Sequence, residues 1–248
     1  MKYMGSKSRI KKHIVPIIQK LIDENNIKMY IEPMMGGGNI IDSISCETKV
    51  GNDISTPLIE LWKHLQQTNG IDLPNDVTRE HYNDVKQNQC TEKYPIWYIG
   101  AIGFLASFNG KYFDGGYAKP TIDKSNGRIR NYYDECKRNI LKQLPKMKDV
   151  ILTNKPYIEM KNVKNTLIYC DPPYKNTTSY QSCRGFDHKE FWDWCRKISK
   201  NNIVLISELE APDDFKCIWE QDVLRTQNAN SRFISKEKLF IYKEGVKI

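Results

Sequence analysis

Four consecutive residues, Asp171-Pro172-Pro173-Tyr174, carry the most specific chemistry in the chain. They follow Leu167-Ile168-Tyr169-Cys170, an apolar run suited to a buried strand. That puts them at the strand's carboxyl end, where open α/β sheets hold their ligands. The two prolines stiffen the turn and contribute no N–H groups. The Asp171 carboxylate and the Pro172 carbonyl can then both accept hydrogens from one amino group, while Tyr174 offers a flat face to a planar base. The exocyclic amine of a nucleobase is a poor nucleophile because its lone pair is delocalised into the ring. Two acceptors gripping its hydrogens favour the pyramidal, nucleophilic form. The competing reading of an isolated tetrapeptide, a proline turn with a helix-capping Asp, weakens once the residues upstream are considered.

Upstream lies Glu32-Pro33-Met34-Met35-Gly36-Gly37-Gly38. Glycines after a first strand let backbone approach a ligand closely. The chain has neither Gly-x-Gly-x-x-Gly nor Gly-Lys-Ser/Thr at this place, which disfavours a pyrophosphate cradle. A tight turn without a phosphate motif suits a nucleoside such as S-adenosylmethionine; an ordinary strand–helix turn is the alternative. Asp53 ends the next strand, where Rossmann-like sites use an acid to accept from ribose hydroxyls. Its alternative role is a helix N-cap, a task that Ser55 or Thr56 could take instead.

These residues must be positioned by an α/β framework. Ile10, Ile14, Ile17, Ile18, Leu21 and Ile22 predict a helix over 7–25 with Ser6 as N-cap. Strands are expected at 28–34 and 49–53, with a short helix from Asn39 to about Cys46 between them and a further helix opened by Pro57 and running through His64. Residues 68–95 are polar and hold no convincing strand; 96–108 form an apolar helix, 109–131 a glycine-rich loop and 132–144 a basic helix. Strand character returns at 149–153, 166–170, 203–207, 222–226 and 238–243, with a helix at 187–199. The economical division is a sheet domain, 1–58 plus 149–248, interrupted by a mostly helical insertion, 59–148.

Composition bounds the rest. The chain has 248 residues, 40% hydrophobic and 27% charged, as expected of a globular protein. Its apolar runs are too short and interrupted to span a bilayer, and the basic start lacks a signal-peptide core, so no membrane partner and a cytoplasmic location are expected. Seven cysteines without a Cys-x-x-Cys pair fit a reducing compartment and no zinc ribbon. The four histidines show no metal spacing, and no metal is expected. An excess of 38 basic over 30 acidic residues, net +8, suggests a polyanionic partner. Basic side chains at 128–148 neighbour Tyr112, Phe113, Tyr117 and Tyr132, a mixture suited to phosphate contact and base stacking, though a charge run can also be a solvated face. Cys170 should point away from the site by strand alternation.

In their order, these motifs resemble the Dam-type, phage-like family of site-specific DNA adenine-N6 methyltransferases. The resemblance rests on Lys2-Tyr3-Met4-Gly5-Ser6-Lys7, the Glu32–Gly38 turn, Asn52-Asp53-Ile54, Phe108-Asn109-Gly110, Asp171–Tyr174 and the closing Lys236-Glu237-Lys238-Leu239-Phe240-Ile241-Tyr242. It implies a Rossmann-like S-adenosylmethionine-dependent methyltransferase sheet with an inserted, mostly helical DNA-recognition domain. It also implies cofactor contacts from Tyr3, Lys7, Asp53 and Asp171, joined by Glu32, Pro33, Met34, Gly36, Gly38 and Ile54 of the same motifs. Asp171, Pro172, Pro173 and Tyr174 would hold a flipped adenine of double-stranded DNA, leaving S-adenosylhomocysteine as product. The insertion would read DNA, through candidates Asn109, Lys111, Tyr117, Lys119, Arg128, Arg130, Lys137 and Arg138. A restriction nuclease is a conceivable partner in such a system. Three departures stand out: the opening aromatic is Tyr3 where the family usually has Trp, Met34 replaces an aromatic, and 208–215 does not match the family's better-known members. Rival readings are a silent DNA-binding protein with a relict cofactor pocket, or the same chemistry on an RNA adenine, a cytosine N4 amine or a protein glutamine amide. Residues 208–215 have no assigned role.

Overall fold

The computed structural model describes residues 1–122, 127–175, 185–228 and 231–245, with backbone only for 224–228 and 231–234. Part of the expected loop, 123–126, lies outside the described residues. Seven strands form one sheet: β1 (Met29–Glu32), β2 (Thr48–Asn52), β5 (Val150–Thr153), β6 (Thr166–Cys170), β7 (Ile203–Glu208), β8 (Phe215–Asn228) and β9 (Ser231–Tyr242). Their order across the sheet is β5-β2-β1-β6-β7-β9-β8. Strands β1, β6 and β7 pair in parallel, Tyr30 opposite Leu167 and Ile168 opposite Val204; β9 then runs antiparallel to β7 and to β8. This is a mixed α/β fold with a mostly parallel centre, as the alternation of elements predicts.

Packing divides the chain into two compact units, Met1–Pro16 with Met35–Ile44 and Gly51–Lys155, and Ile17–Met34 with Ser45–Val50 and Pro156–Ile248. The expected insertion, 59–148, falls wholly within the first. There α2 (Thr56–Thr68) packs on α4 (Ile96–Leu105), joined by α3 (Arg79–Gln87) and α5 (Tyr132–Met147). Helix α4 is apolar on all sides and buried from Ile99 to Leu105, the pattern of a core helix. Helix α5 starts where the Asn131 side chain accepts from the Tyr133 and Asp134 N–H groups.

The second unit is built on strands buried on both faces. All five residues of β6 and all six of β7 are buried, as a parallel sheet covered on both sides requires. Helix α6 (His188–Ile198), capped by Asp187 accepting from the Glu190 N–H at 3.0 Å, sets Phe191, Trp194, Cys195 and Ile198 against Ile168, Cys170, Val204 and Ile206. Cys170 is fully buried in that cluster and is structural.

Three expectations need correction. The helix over 39–46 is only a 3₁₀ turn, Ile41–Ser43, because a run of isoleucines and serines has weak helix propensity. The strands at 222–226 and 238–243 are parts of a hairpin of 14- and 12-residue strands. The polar stretch 68–95 holds no strand, as expected, and contains α3, capped by the Thr78 hydroxyl accepting from the His81 N–H at 3.1 Å. Within 109–131 the two-residue strands β3 (Thr121–Ile122) and β4 (Ile129–Arg130) pair antiparallel.

Candidate active site

In the first unit the glycine turn and Asp53 form one structure. Gly36 has φ +53°, in the left-handed region, and a Cβ there would lie 2.8 Å from the Tyr3 ring. Glycine therefore lets the turn close against Tyr3, whose ring stacks on Phe104 at 5.8 Å between centroids. The Gly36 N–H donates to Asp53 Oδ2 at 2.8 Å, and the Ser55 N–H donates to Oδ1 at 2.9 Å. Asp53 is 8% exposed, and burial pushes its carboxyl pKa up, opposed in part by the N–H groups of Ser55, Gly36 and Ile54. Ser55 occupies the N-cap position of α2 without a side-chain capping bond. The Thr56 hydroxyl instead donates to Asn154 Oδ1 at 2.8 Å. From the other side, Gln143 of α5 donates to the carbonyls of Gly37 at 3.1 Å and Gly38 at 2.8 Å.

Other predicted positions in this unit fall into place around that turn. Lys7 is buried, its ammonium 3.3 Å from the Gly5 carbonyl, while Ile54 is 52% exposed. Gly110, with φ +65°, brings the Phe108-Asn109-Gly110 turn onto the Lys2 backbone, where a Cβ would meet the Lys2 carbonyl oxygen at 2.5 Å. A carboxylate has about four acceptor positions, and the backbone N–H groups of Gly36, Ser55 and Ile54 at Asp53 leave room for a ribose hydroxyl. The residues present thus fit an adenosyl cofactor: a turn open to close approach, a buried acid at its lip and an exposed apolar side chain beside it.

In the second unit, Asp171 is half-buried, directly after β6, and Pro172 is buried. Tyr174 is 8% exposed, and its hydroxyl donates to Glu237 Oε2 at 2.7 Å. The next residue is held too: the Lys175 N–H donates to Glu208 Oε1 at 2.9 Å, and the Leu209 N–H to Oε2 at 2.6 Å. Glu32 accepts from the Tyr30 hydroxyl at 2.8 Å, and Tyr169 shares a 2.8 Å hydrogen bond with Ser207. Burial, followed by the charge of Glu32 for Tyr30 and of Asp171 for Tyr169 and Tyr174, pushes all three phenol pKa values far up. The three tyrosines keep their protons, and two of them donate to carboxylates. Three buried acids, Glu32, Glu208 and Glu237, thus hold groups around the end of β6. Sequence reasoning gave Glu208 and Glu237 no role. The readable signal was an acid closing the otherwise apolar Ile203-Val204-Leu205-Ile206-Ser207, and one inside the closing motif.

The DNA candidates separate by environment. Asn109 (φ +56°), Lys119, Arg128, Arg130 and Arg138 are exposed and Lys111 half-buried. Arg128, Arg130 and Arg138, with Asp134 and Glu135, line a shallow cavity of about 420 Å³. Arg130 pairs with Glu135 at 2.8 Å and sits over the Tyr132 ring at 4.6 Å. Lys137 places its ammonium on the carbonyls of Leu73 at 3.0 Å and Pro74 at 2.8 Å. The Tyr117 hydroxyl donates to the Val77 carbonyl at 2.7 Å. Among the described residues no group of three or more His, Cys, Asp or Glu side chains could hold a metal ion, and no helix is long and apolar enough to cross a membrane.

The first unit thus holds a glycine turn closed on a buried acid, and the second an Asp-Pro-Pro-Tyr turn at the end of a buried strand. The chain belongs to the D12 class N6 adenine-specific DNA methyltransferase family, whose model matches residues 3–205, and is thus an adenine-specific DNA methyltransferase. Type II methyltransferase M.MjaIII of Methanocaldococcus jannaschii is 24% identical over 217 residues, 77% of this chain and 74% of its own length. Modification methylase StsI of Streptococcus sanguinis is 24% identical over 221 residues, 78% of this chain; the chain spans only 31% of that relative. A solved protein from Haemophilus influenzae, provisionally described as a methylase, aligns with 94% of this chain and 88% of its own, at 10% identity and a TM-score of 0.34.

Proposed function

We propose that the enzyme is site-specific and methylates N6 of an adenine flipped out of double-stranded DNA, using S-adenosylmethionine. The observation that carries this reading is Asp171-Pro172-Pro173-Tyr174 at the carboxyl end of the fully buried β6, in a chain of this family. When bound, S-adenosylmethionine supplies an electrophilic methyl group on a sulfonium. The reading gives its ribose to Asp53, and its close approach to the turn at Gly36 and Gly38, with Tyr3, Lys7 and Ile54 beside them. Glu32, Pro33 and Met34 shape the strand end that leads into the turn.

The amine must leave the base stack before any residue of the enzyme can reach it. Asp171 and the Pro172 carbonyl accept its two hydrogens and turn its lone pair outward, and the Tyr174 ring receives the base. Asp171 also stabilises the positive charge that grows on the nitrogen. Positioning and electrostatics thus supply most of the rate, and no strong base is required, because the methylated nitrogen becomes acidic enough to release its surplus proton to Asp171 or water. The segment 59–148 reads the DNA, with Arg128, Arg130 and Arg138 on phosphates and the Asn109–Lys119 turn at the bases.

The test is to methylate a sequence-diverse duplex with the purified protein and map modified adenines by single-molecule sequencing. The expected result is one short recurring sequence carrying N6-methyladenine. Asp171→Ala, losing a charge-assisted hydrogen bond of ~1.5–3 kcal/mol and the amine's orientation with it, should cut transfer at least ~10- to 150-fold while leaving a folded protein. Methylation of cytosine overturns the choice of base, and activity of Asp171→Ala within a few-fold of wild type removes Asp171 from this role. DNA and cofactor binding without transfer would identify a silent binding protein.

A further inference from the structure

Two proline rings stiffen residues 172 and 173, but they leave the side-chain torsions of Tyr174 and the backbone beyond it undetermined. The structure fixes both with carboxylates from neighbouring strands. Glu237 of β9 takes the Tyr174 hydroxyl at 2.7 Å, and Glu208, the last residue of β7, takes the Lys175 N–H at 2.9 Å. The two strands pair here, Glu208 lying opposite Lys238, so Glu237 and Glu208 emerge one residue apart in register. Both acids are almost wholly enclosed, at 5% and 3% exposure. Burying a carboxylate is costly, and an apolar residue of similar size fills the same space more cheaply. What these two provide, and an apolar pair cannot, is directed acceptors on two consecutive residues of the base-holding turn.

We propose that Glu237 and Glu208 are positioning residues that clamp the Asp171–Lys175 turn so that the Tyr174 ring is preset before the adenine arrives. The proposal rests on the reading above that this turn holds the base. A phenol fixed at its hydroxyl end loses the freedom of both its torsions, so the base meets a surface that needs no ordering on binding. Glu208 does the same for the chain leaving the turn, and through its bond to the Leu209 N–H it ties the start of segment 208–215 to the same point. The clamp acts through Tyr174 and touches neither substrate nor cofactor. Its loss should therefore slow methyl transfer and spare cofactor affinity.

A double-mutant cycle separates this from a merely structural role. Single-turnover transfer, cofactor dissociation constant and thermal unfolding are measured for Glu237→Ala, Glu237→Gln, Tyr174→Phe, the Glu237→Ala/Tyr174→Phe double variant and Glu208→Gln. Each of Glu237→Ala and Tyr174→Phe should slow transfer about tenfold with cofactor affinity kept within threefold, and the double variant should be no slower than the slower single one. Glu237→Gln, whose amide oxygen still accepts from the phenol, should retain most of the rate. Glu208→Gln, able to satisfy only one of its two amides, should lose several-fold. Should Glu237→Ala fail to fold, Tyr174→Phe and Glu237→Gln still decide, since each changes few atoms. Transfer by Tyr174→Phe within threefold of wild type overturns the proposal, as do losses that multiply in the double variant. If Asp171→Ala abolishes transfer while Tyr174→Phe does not, the clamp alone fails; if Asp171→Ala is fully active, the base-holding reading itself has failed.

Discussion

Replacing Asp53 by Asn tests how the cofactor turn is built. The Asp53 carboxylate receives one buried amide on each oxygen, Gly36 at 2.8 Å and Ser55 at 2.9 Å. Asn offers a single acceptor oxygen, and its NH₂ must face the other donor. Whichever way the amide is turned, one N–H loses its partner, at a cost of about 1–3 kcal/mol. For a chain of this size that lowers the unfolding midpoint by about 2–4 °C per kcal/mol, so on the order of 5 °C. The pH dependence gives a second reading. Burial raises the folded-state pKa of Asp53 above the unfolded value of 3.8. A group raised in this way contributes stability that is fully present below the unfolded pKa and is lost as pH rises through the folded one. The variant lacks that contribution, so its deficit should be smallest at neutral pH and grow toward pH ~4. Cofactor affinity should fall with the stability. Transfer at saturating cofactor should largely survive, because ribose contacts hold ground and transition states alike. Thermal unfolding followed by circular dichroism between pH 4 and 7, with cofactor titration, checks all three. A variant with the wild-type midpoint across that range would mean that the carboxylate does not bridge Gly36 and Ser55.

Three further outcomes are expected. Gly36→Ala forces a side chain into the left-handed region and against Tyr3, costing about 1–2 kcal/mol, and should weaken cofactor binding roughly tenfold by calorimetry. Arg138→Ala should reduce the log–log salt slope of DNA binding by ~0.9, the share of a single phosphate. Lys137→Ala, whose ammonium serves the Leu73 and Pro74 carbonyls, should lower the unfolding midpoint and leave that slope alone; the opposite pattern would exchange their roles.

The most legible parts of the sequence were those where burial dictates composition. Strands β6 and β7 are apolar at nearly every position because both faces are covered, and their ends then locate Asp171 directly. The long β8–β9 hairpin was visible only in fragments. Much of β8 is polar, and its strand state is set by pairing with β9 rather than by a pattern of its own. Helix α3 buries only Tyr82 and Val85, too little periodicity to read. Local spacing could suggest that Asp53 serves a ligand, but not that the glycine turn's own amide already occupies one of its oxygens. The partnership of Tyr174 with Glu237 spans 63 residues and depends on β9 returning beside β7. No window of neighbouring residues contains it.

Gln143 has a consequence for how such an enzyme could change its target. Its side chain grips the Gly37 and Gly38 carbonyls, yet it belongs to α5, the helix that begins beside Arg128 and Arg130. The piece that would be exchanged to acquire a new recognition sequence therefore includes a strut of the cofactor turn. A graft cut at 59 and 148 exports that strut with its donor, and a graft that ends before α5 leaves it with the host. Chimeras with the second boundary should keep their cofactor affinity, whereas those with the first should inherit whatever grip the donor's helix provides. By linkage, DNA that shifts α5 must alter cofactor affinity by the same factor as cofactor alters affinity for that DNA. If 59–148 reads DNA as proposed, specificity and cofactor affinity in this enzyme would not be free to evolve separately.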